Sequence, residues 1–212
     1  MLQIERFVCG AIMENAYLVT DAETGETAVI DPGTPDPALM QALAQRPAFR
    51  LRAVLLTHGH YDHIGGAAAL RRQYGLPVIC FAAEVPLVAS AALNLSAVAG
   101  EPVTPPQITQ TVQDGDTFAL GATVFRVLHT PGHTAGSVCW CAPDAMFTGD
   151  TLFEGGAGRT DFPTGDPAAM RRSLRRIGLM PGDCAVYPGH GDATSLARER
   201  AENPWLSEEC RS

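Results

Sequence analysis

The stretch "LLTHGHYDHIGG", residues 55–66, sets three histidines and one aspartate between positions 58 and 63, directly at the end of the apolar run "AVLL". All four side chains bind divalent metals, yet a tetrahedral catalytic site takes three protein ligands and leaves one position for water. One ion would therefore have a group to spare. His58, His60 and Asp62 stand at i, i+2 and i+4, which an extended backbone puts on one side, while His63 falls out of phase. If the chain turns into a helix at about Asp62, His58 and His60 serve one ion and Asp62 and His63 another. Each pair then needs a ligand from elsewhere.

Working outward, the remaining candidates also sit where apolar runs end. His133 follows "VFRVLHTPG", Asp150 follows "AMFTG" and His190 follows "AVYPG". Strand ends of this kind point to one edge of a sheet, where loops converge. His133 is expected to complete the first set and His190 the second, with the two oxygens of Asp150 bridging them. Four of these histidines, His58, His60, His133 and His190, adjoin glycine, as a backbone bending closely round an ion requires. His129 is left over and is expected to pack or to meet solvent. Asp31, in "VIDPG", either accepts a hydrogen bond from a ligand histidine or is a plain turn residue. Tyr187 is expected to pack, as are Cys139 and Cys141, which strand alternation places on one face.

The runs "LQIERFV", "AYLVT", "TAVID" and "RAVLLT" read as strands, and "IGGAAALRRQYG" as a helix stopped by Gly75. With "PVICFA" they form a βαβ unit. Residues 83–99 suggest one or two helices, and 100–107 a proline-rich loop. "DGDTFALGATVFRVLHT" reads as a hairpin turning at Leu120-Gly121. "SVCWCA", "AMFTGD" and "CAVYPGH" add strands, Pro167 to about Ile177 a helix, and a short tail helix ends before Asn203-Pro204. Mixed β then α, twice over, predicts an α+β protein, a four-layer αββα sandwich in a single domain over 1–212.

Composition narrows the function. The chain has 212 residues, 46% hydrophobic and 18% charged, with a net charge of −8. That balance and the absence of long basic runs argue against a nucleic-acid partner. No signal-like start and no long apolar span is present, so no membrane association and a cytoplasmic location are expected. The cysteines at 9, 80, 139, 141, 184 and 210 are expected to be free thiols. Nothing in the sequence speaks to the oligomeric state.

"THGHYDH", "HTPGHTAGS", "FTGD" and "YPGHG" together resemble the metallo-β-lactamase superfamily, over almost the whole chain. "GGAGRTDFPTGD" at 155–166 and "ENPWL" at 202–206 resemble its single-domain bacterial glyoxalase II type, the hydroxyacylglutathione hydrolases; "GRTDF" also resembles the persulfide dioxygenases. The resemblance implies an αββα fold and metal ligands His58, His60, Asp62, His63, His133, Asp150 and His190. It implies two divalent ions, with zinc expected and iron or manganese compatible with the same donors. The chain departs from true β-lactamases in having Asp150, and from flavodiiron proteins in having His60. Two-domain glyoxalase II enzymes add a glutathione-binding helical domain, whereas 22 residues follow His190 here.

The expected activity is hydrolysis of a small thioester such as S-D-lactoylglutathione, by a hydroxide bridging the two ions and oriented by Asp62 as the catalytic residue. A thiol leaves without a strong general acid, which favours a thioester over a β-lactam amide. Arg159 either binds an anionic end of the substrate or pairs with Asp161 or Asp166. The alternatives are a mononuclear iron persulfide dioxygenase using His58, His133 and Asp150, a hydrolase of another ester or lactone, and a non-enzymatic metal-binding protein on the same scaffold.

Overall fold

Along Glu14–Asp21, Tyr17 and Val19 join one hydrophobic core and Ala16 and Leu18 another, and all four are buried. A strand buried on both faces needs a layer on each side, and that requirement sets the architecture. The computed structural model describes residues 1–206; Cys210 lies outside them. The first sheet runs in the order β1 (Leu2–Cys9), β2 (Glu14–Asp21), β3 (Thr27–Ile30), β4 (Leu51–Leu55), β5 (Val78–Phe81) and β6 (Gln110–Val112). Its first two pairings are antiparallel and the rest parallel.

The second sheet is built from β7 (Thr117–Leu120), β8 (Thr123–His129), β9 (Val138–Cys141) and β10 (Ala145–Gly149). After a small hairpin of β11 (Leu152–Phe153) and β12 (Gly156–Ala157), β13 (Ala185–Pro188) pairs parallel to β10, and β14 (Thr194–Ser195) closes that edge. Between the sheets lies a core of Tyr17, Ile30, Leu55, Phe125, Trp140 and Phe147 among others. The outer face of the first sheet is covered by α1 (Pro37–Ala44), α2 (Tyr61–Ile64) and α3 (Ala67–Tyr74), through Leu39, Leu43, Ile64 and Leu70. Two shorter helices, α4 (Val85–Ala89) and α5 (Ser96–Ala99), fill the region expected to hold one or two. The outer face of the second sheet is covered by α6 (Pro167–Gly178) and α7 (Leu196–Glu202), through Met170, Leu174, Ile177 and Leu196. Three cores between four layers make the αββα sandwich. Among the described residues, no helix is long and apolar enough to cross a membrane.

Several boundaries differ from the sequence-based expectation. The helix expected over "IGGAAALRRQYG" is broken at Gly65-Gly66, because the chain passes against the backbone of Pro32–Thr34. A Cβ on Gly66 would stand 2.9 Å from the Pro32 carbonyl oxygen. Gly75 does stop α3, at φ +70°. The hairpin pairs Leu120 with Thr123, so its turn is Gly121-Ala122, one residue later than expected. Helix α1, capped by Asp36 with Pro37 in its first turn, and the three-residue β6 were not expected. The tail helix ends before Asn203, as its Asn-Pro signal indicates.

Candidate metal centre

Every residue named in the sequence as a candidate ligand comes from the carboxyl end of a strand: His58–His63 after β4, His133 after β8, Asp150 after β10 and His190 after β13. Both sheets therefore contribute. His60 Nδ1 stands 3.1 Å from His58 Nε2 and 2.9 Å from His133 Nε2. Close by, Asp62 Oδ2 lies 3.3 Å from His63 Nε2 and 3.2 Å from His190 Nε2. These are the two triads that the spacing predicted; the turn into α2 aims His63 Nε2 at Asp62 and Asp150, although its ring lies 4.1 Å from that of His58. Asp150 stands between them. Its Oδ1 is 3.3 Å from His63 Nε2, and its Oδ2 is 3.5 Å from His133 Nε2 and 3.7 Å from His190 Nε2.

The donor set fits divalent metal. Asp150 Oδ1 and His63 Nε2 are buried and have no hydrogen-bond partner, although they face each other. Buried polar atoms are otherwise almost always paired, so two orphans aimed at one point call for a cation. Three imidazole nitrogens converging within about a hydrogen-bond length call for another. Hydrogen bonds on the far nitrogens aim the lone pairs inward. Thr57 Oγ1 donates to Asp31 Oδ2 at 2.5 Å and so accepts from His58 Nδ1 at 3.1 Å. His133 Nδ1 donates to the Arg159 carbonyl at 2.7 Å. His63 Nδ1 donates to Asp31 Oδ2 at 3.0 Å. Asp31 is thus the orienting group rather than only a turn residue, holding His63 directly and His58 through Thr57. Its own φ of +47° lies in the left-handed region, a strain the Thr57 contacts offset.

The electrostatics divide the triads. Burial, followed by neighbouring histidines, pushes His58 well below its usual pKa, and burial with His133 nearby pushes His60 down to about 3. Both offer free lone pairs at neutral pH. Burial acts in the same direction on His63, but Asp62 and Asp150 outweigh it and raise its pKa well above the ordinary value. For Asp62, burial favours the neutral acid, and His63 and His190 reverse this and hold it below the usual carboxylate range.

Four further residues at the site carry no distinguishing signal in the sequence. Glu84 is buried and fastens two ligand loops together: Oε2 accepts from Gly59 N–H, between His58 and His60, while Oε1 accepts from Thr134 Oγ1 and Gly136 N–H beyond His133. Asn15 and Tyr17 clasp the His190 loop through the carbonyls of Pro188 and Gly191. Glu14 is fully buried 3.9 Å from His63 Nδ1, with neither oxygen hydrogen-bonded, and burial raises its pKa well above the ordinary value. The signals "MENAY" and "AAE" carry polar residues in apolar surroundings, but no spacing distinguishes them from turns.

The centre opens into a cavity of about 540 Å³ walled by Ile12, Tyr61, Leu95, Phe153, Phe162 and Arg159 among others. Arg159 is bound in both directions to Asp161, at 2.7 Å twice, while Asp166 caps α6 instead. His129 lies outside the cluster, stacked on Phe81 and bonded to the Ala135 carbonyl. Tyr187 packs against Tyr17 and Phe147, and Cys139 and Cys141 pack on the outer face of the second sheet, all as expected.

The model of the metallo-beta-lactamase superfamily matches residues 9–190. The chain is 39% identical to a hydroxyacylglutathione hydrolase of Brucella anthropi over 200 residues, covering 93% of this chain and 68% of that protein. Among solved structures it resembles BLEG-1 B3 metallo-beta-lactamase, with a TM-score of 0.88 and 32% identity over 97% of this chain and all of that one. It also resembles TTHA1623 in a di-iron-bound form, with a TM-score of 0.82 and 37% identity, covering 95% of this chain and 100% of that one. Four layers, ligand loops at the strand ends of both sheets and a sequence match over most of its length agree: this chain belongs to the metallo-beta-lactamase superfamily.

Proposed function

We propose that the protein is a dinuclear metal-dependent hydrolase of small thioesters, of the hydroxyacylglutathione hydrolase type. The observation that carries this reading is the pair of triads, His58–His60–His133 and Asp62–His63–His190, with Asp150 between them at the floor of an open cavity. The first triad and Asp150 would hold one ion, and the second triad and Asp150 the other. When bound, such ions polarise a carbonyl and lower the pKa of water to about 7. Zinc suits these donors, as do iron and manganese.

The chain's own residues do the rest. Asp62, ionised and fixed by His63 and His190, is placed to orient a water and accept its proton. As the carbon–oxygen bond forms, the carbon–sulfur bond breaks, and the proton held at Asp62 passes to the departing thiolate. Thiols have a pKa of about 8.5, so the leaving group needs no strong acid. An amide nitrogen would need one. Besides the ligand side chains, the cavity wall offers the Tyr61 hydroxyl, whose pKa is raised by burial and by Asp62, which makes it a weaker acid still. That chemistry favours a thioester over an amide.

Metal analysis of the purified protein, paired with turnover of a thioester panel, tests the reading. Two equivalents of metal and thiol release without oxygen consumption are expected, and Asp150→Ala is expected to abolish turnover and lower the metal content. One equivalent of iron with oxygen uptake would instead assign the persulfide dioxygenase. Full activity and metal in Asp150→Ala would remove the bridging role. Like the small thioester, a cytoplasmic site of action belongs to this proposal.

A further inference from the structure

The cavity above the triads is apolar on both flanks. Phe162 stands edge-on to His60 with ring centroids 5.8 Å apart, and to His133 at 6.5 Å. On the opposite flank Phe153 stands edge-on to His190 at 6.2 Å, while Ile12 and Leu95 complete the walls. Leu95 holds its place at φ +68°, a left-handed conformation that an unbranched polar or glycine residue would take at lower cost. Ile12 is 48% exposed at the mouth. An apolar side chain left this open beside a reaction centre gains from being covered by an apolar ligand.

The charges point the same way. The fifteen basic residues of the chain are all arginines. Among the described residues, Arg159 is the guanidinium that lines the cavity, and its Nε and one terminal nitrogen are engaged by the two oxygens of Asp161. Its face lies 4.0 Å over the Phe162 ring. The next guanidinium, Arg171, lines a separate hollow of about 210 Å³ that shares Ala157 and Arg159 as a wall. A glutathione arm carries two carboxylates and one ammonium, and carboxylates laid against the apolar Phe162 and Ile12–Phe153 walls, beside a single guanidinium already paired with Asp161, lose hydration with little compensation.

We propose that this cavity selects a thioester whose thiol portion is neutral and apolar, an aromatic or aliphatic arm lying between Phe162 and the Ile12–Phe153 flank, rather than glutathione. The inference rests on the thioesterase reading for the acyl end and on the cavity walls for the thiol end. Arg159, paired with Asp161, serves as the support that holds Phe162 flat.

The test compares two S-D-lactoyl thioesters on the purified metal-loaded protein, one of glutathione and one of benzyl mercaptan. Both are alkyl thiols, so the leaving groups are similar. The benzyl ester is expected to have a kcat/KM about ten-fold higher, of the order that one well-buried ring contributes. Phe162→Ala is expected to remove most of that advantage through KM, at unchanged metal content. Arg171→Ala is expected to leave the ratio of the two esters unaltered. A glutathione ester turned over as fast as the benzyl ester, or faster, overturns the proposal. If neither ester is turned over, the thioesterase reading fails, and the walls are judged by calorimetry with the matching 2-hydroxypropyl thioethers. Tighter binding of the benzyl thioether still supports a neutral apolar occupant, and equal or tighter binding of the glutathione thioether overturns it.

Discussion

Glu84 shows how a single buried carboxylate can govern a centre it does not touch. Its acceptors hold Gly59 on one ligand loop and Gly136 and Thr134 on the other, across 25 to 52 positions of sequence. Glu84→Ala leaves two buried backbone N–H groups without acceptors, a loss on the order of 3 kcal/mol, and frees His60 and His133 to drift apart. Glu84→Gln keeps one acceptor and turns an amide N–H₂ against a donor. We expect the metal affinity of the first triad, measured by chelator competition, to fall about ten-fold in the Gln variant and further in the Ala variant. Unaltered affinity in both would mean that backbone packing alone sets the loops. The residue scale also marks the limit of what the sequence made legible. His58, His60, Asp62 and His63 announced themselves because ligand chemistry needs particular side chains at short spacing. Asp31 was half legible, since a turn and an orienting carboxylate look alike until the fold brings it to His63. Glu84 was illegible, because its partners are main-chain amides from distant loops and amides carry no sequence signature.

At the scale of elements, the first triad depends on how α6 meets the loop carrying His133. Asp166 caps the helix through Ala168 and Ala169, and its own N–H donates to the Gly132 carbonyl at 2.9 Å. Ser173 Oγ donates to the Pro131 carbonyl at 2.7 Å. Gly132, at φ +149°, leaves no room between the two: a Cβ there would stand 2.4 Å from Met170 Cα. Since the obstacle is helix backbone, Gly132→Ala must push the loop off α6. We expect a loss of about 3 kcal/mol in denaturant unfolding together with loss of metal from the first triad. Gly182→Ala is the control. Its φ of +74° is also left-handed, but nothing lies within 4 Å, so about 1 kcal/mol and full metal content are expected. Elements with strong punctuation were readable: α6 opens on Asp-Pro and α3 stops at Gly75. The break at Gly65-Gly66 was not, because it answers to the Pro32–Thr34 backbone, a contact made only once β3 and β4 are side by side.

On the scale of the whole molecule, the centre is the seam between the sheets. The first sheet supplies His58, His60, Asp62 and His63, and the second His133, Asp150 and His190, so bound ions cross-link the halves. Direct bonds across the seam also exist, from Trp140 Nε1 to the Leu56 carbonyl and from Val138 N–H to the Thr57 carbonyl. Metal present at about a thousand times its dissociation constant adds about 4 kcal/mol, worth roughly 10 °C in Tm for a chain of this length. Chelation is therefore expected to lower Tm by that order, and the gap has a definite pH dependence. In the metal-free protein, burial works against charging His63 while Asp62 and Asp150 favour it and prevail; His190 is likewise raised by its Asp62 hydrogen bond and Asp150 against its own burial. A histidine raised in the fold contributes stability that is fully present below its unfolded pKa of about 6.5 and is lost as pH climbs through the folded value. Protons thus take over part of the metals' role in acid and give it up in base. Calorimetric scans with and without chelator should converge toward pH 6 and separate toward pH 9; a gap that is constant across this range, or that narrows with rising pH, would show that the second triad does not hold those protons when the metal is gone.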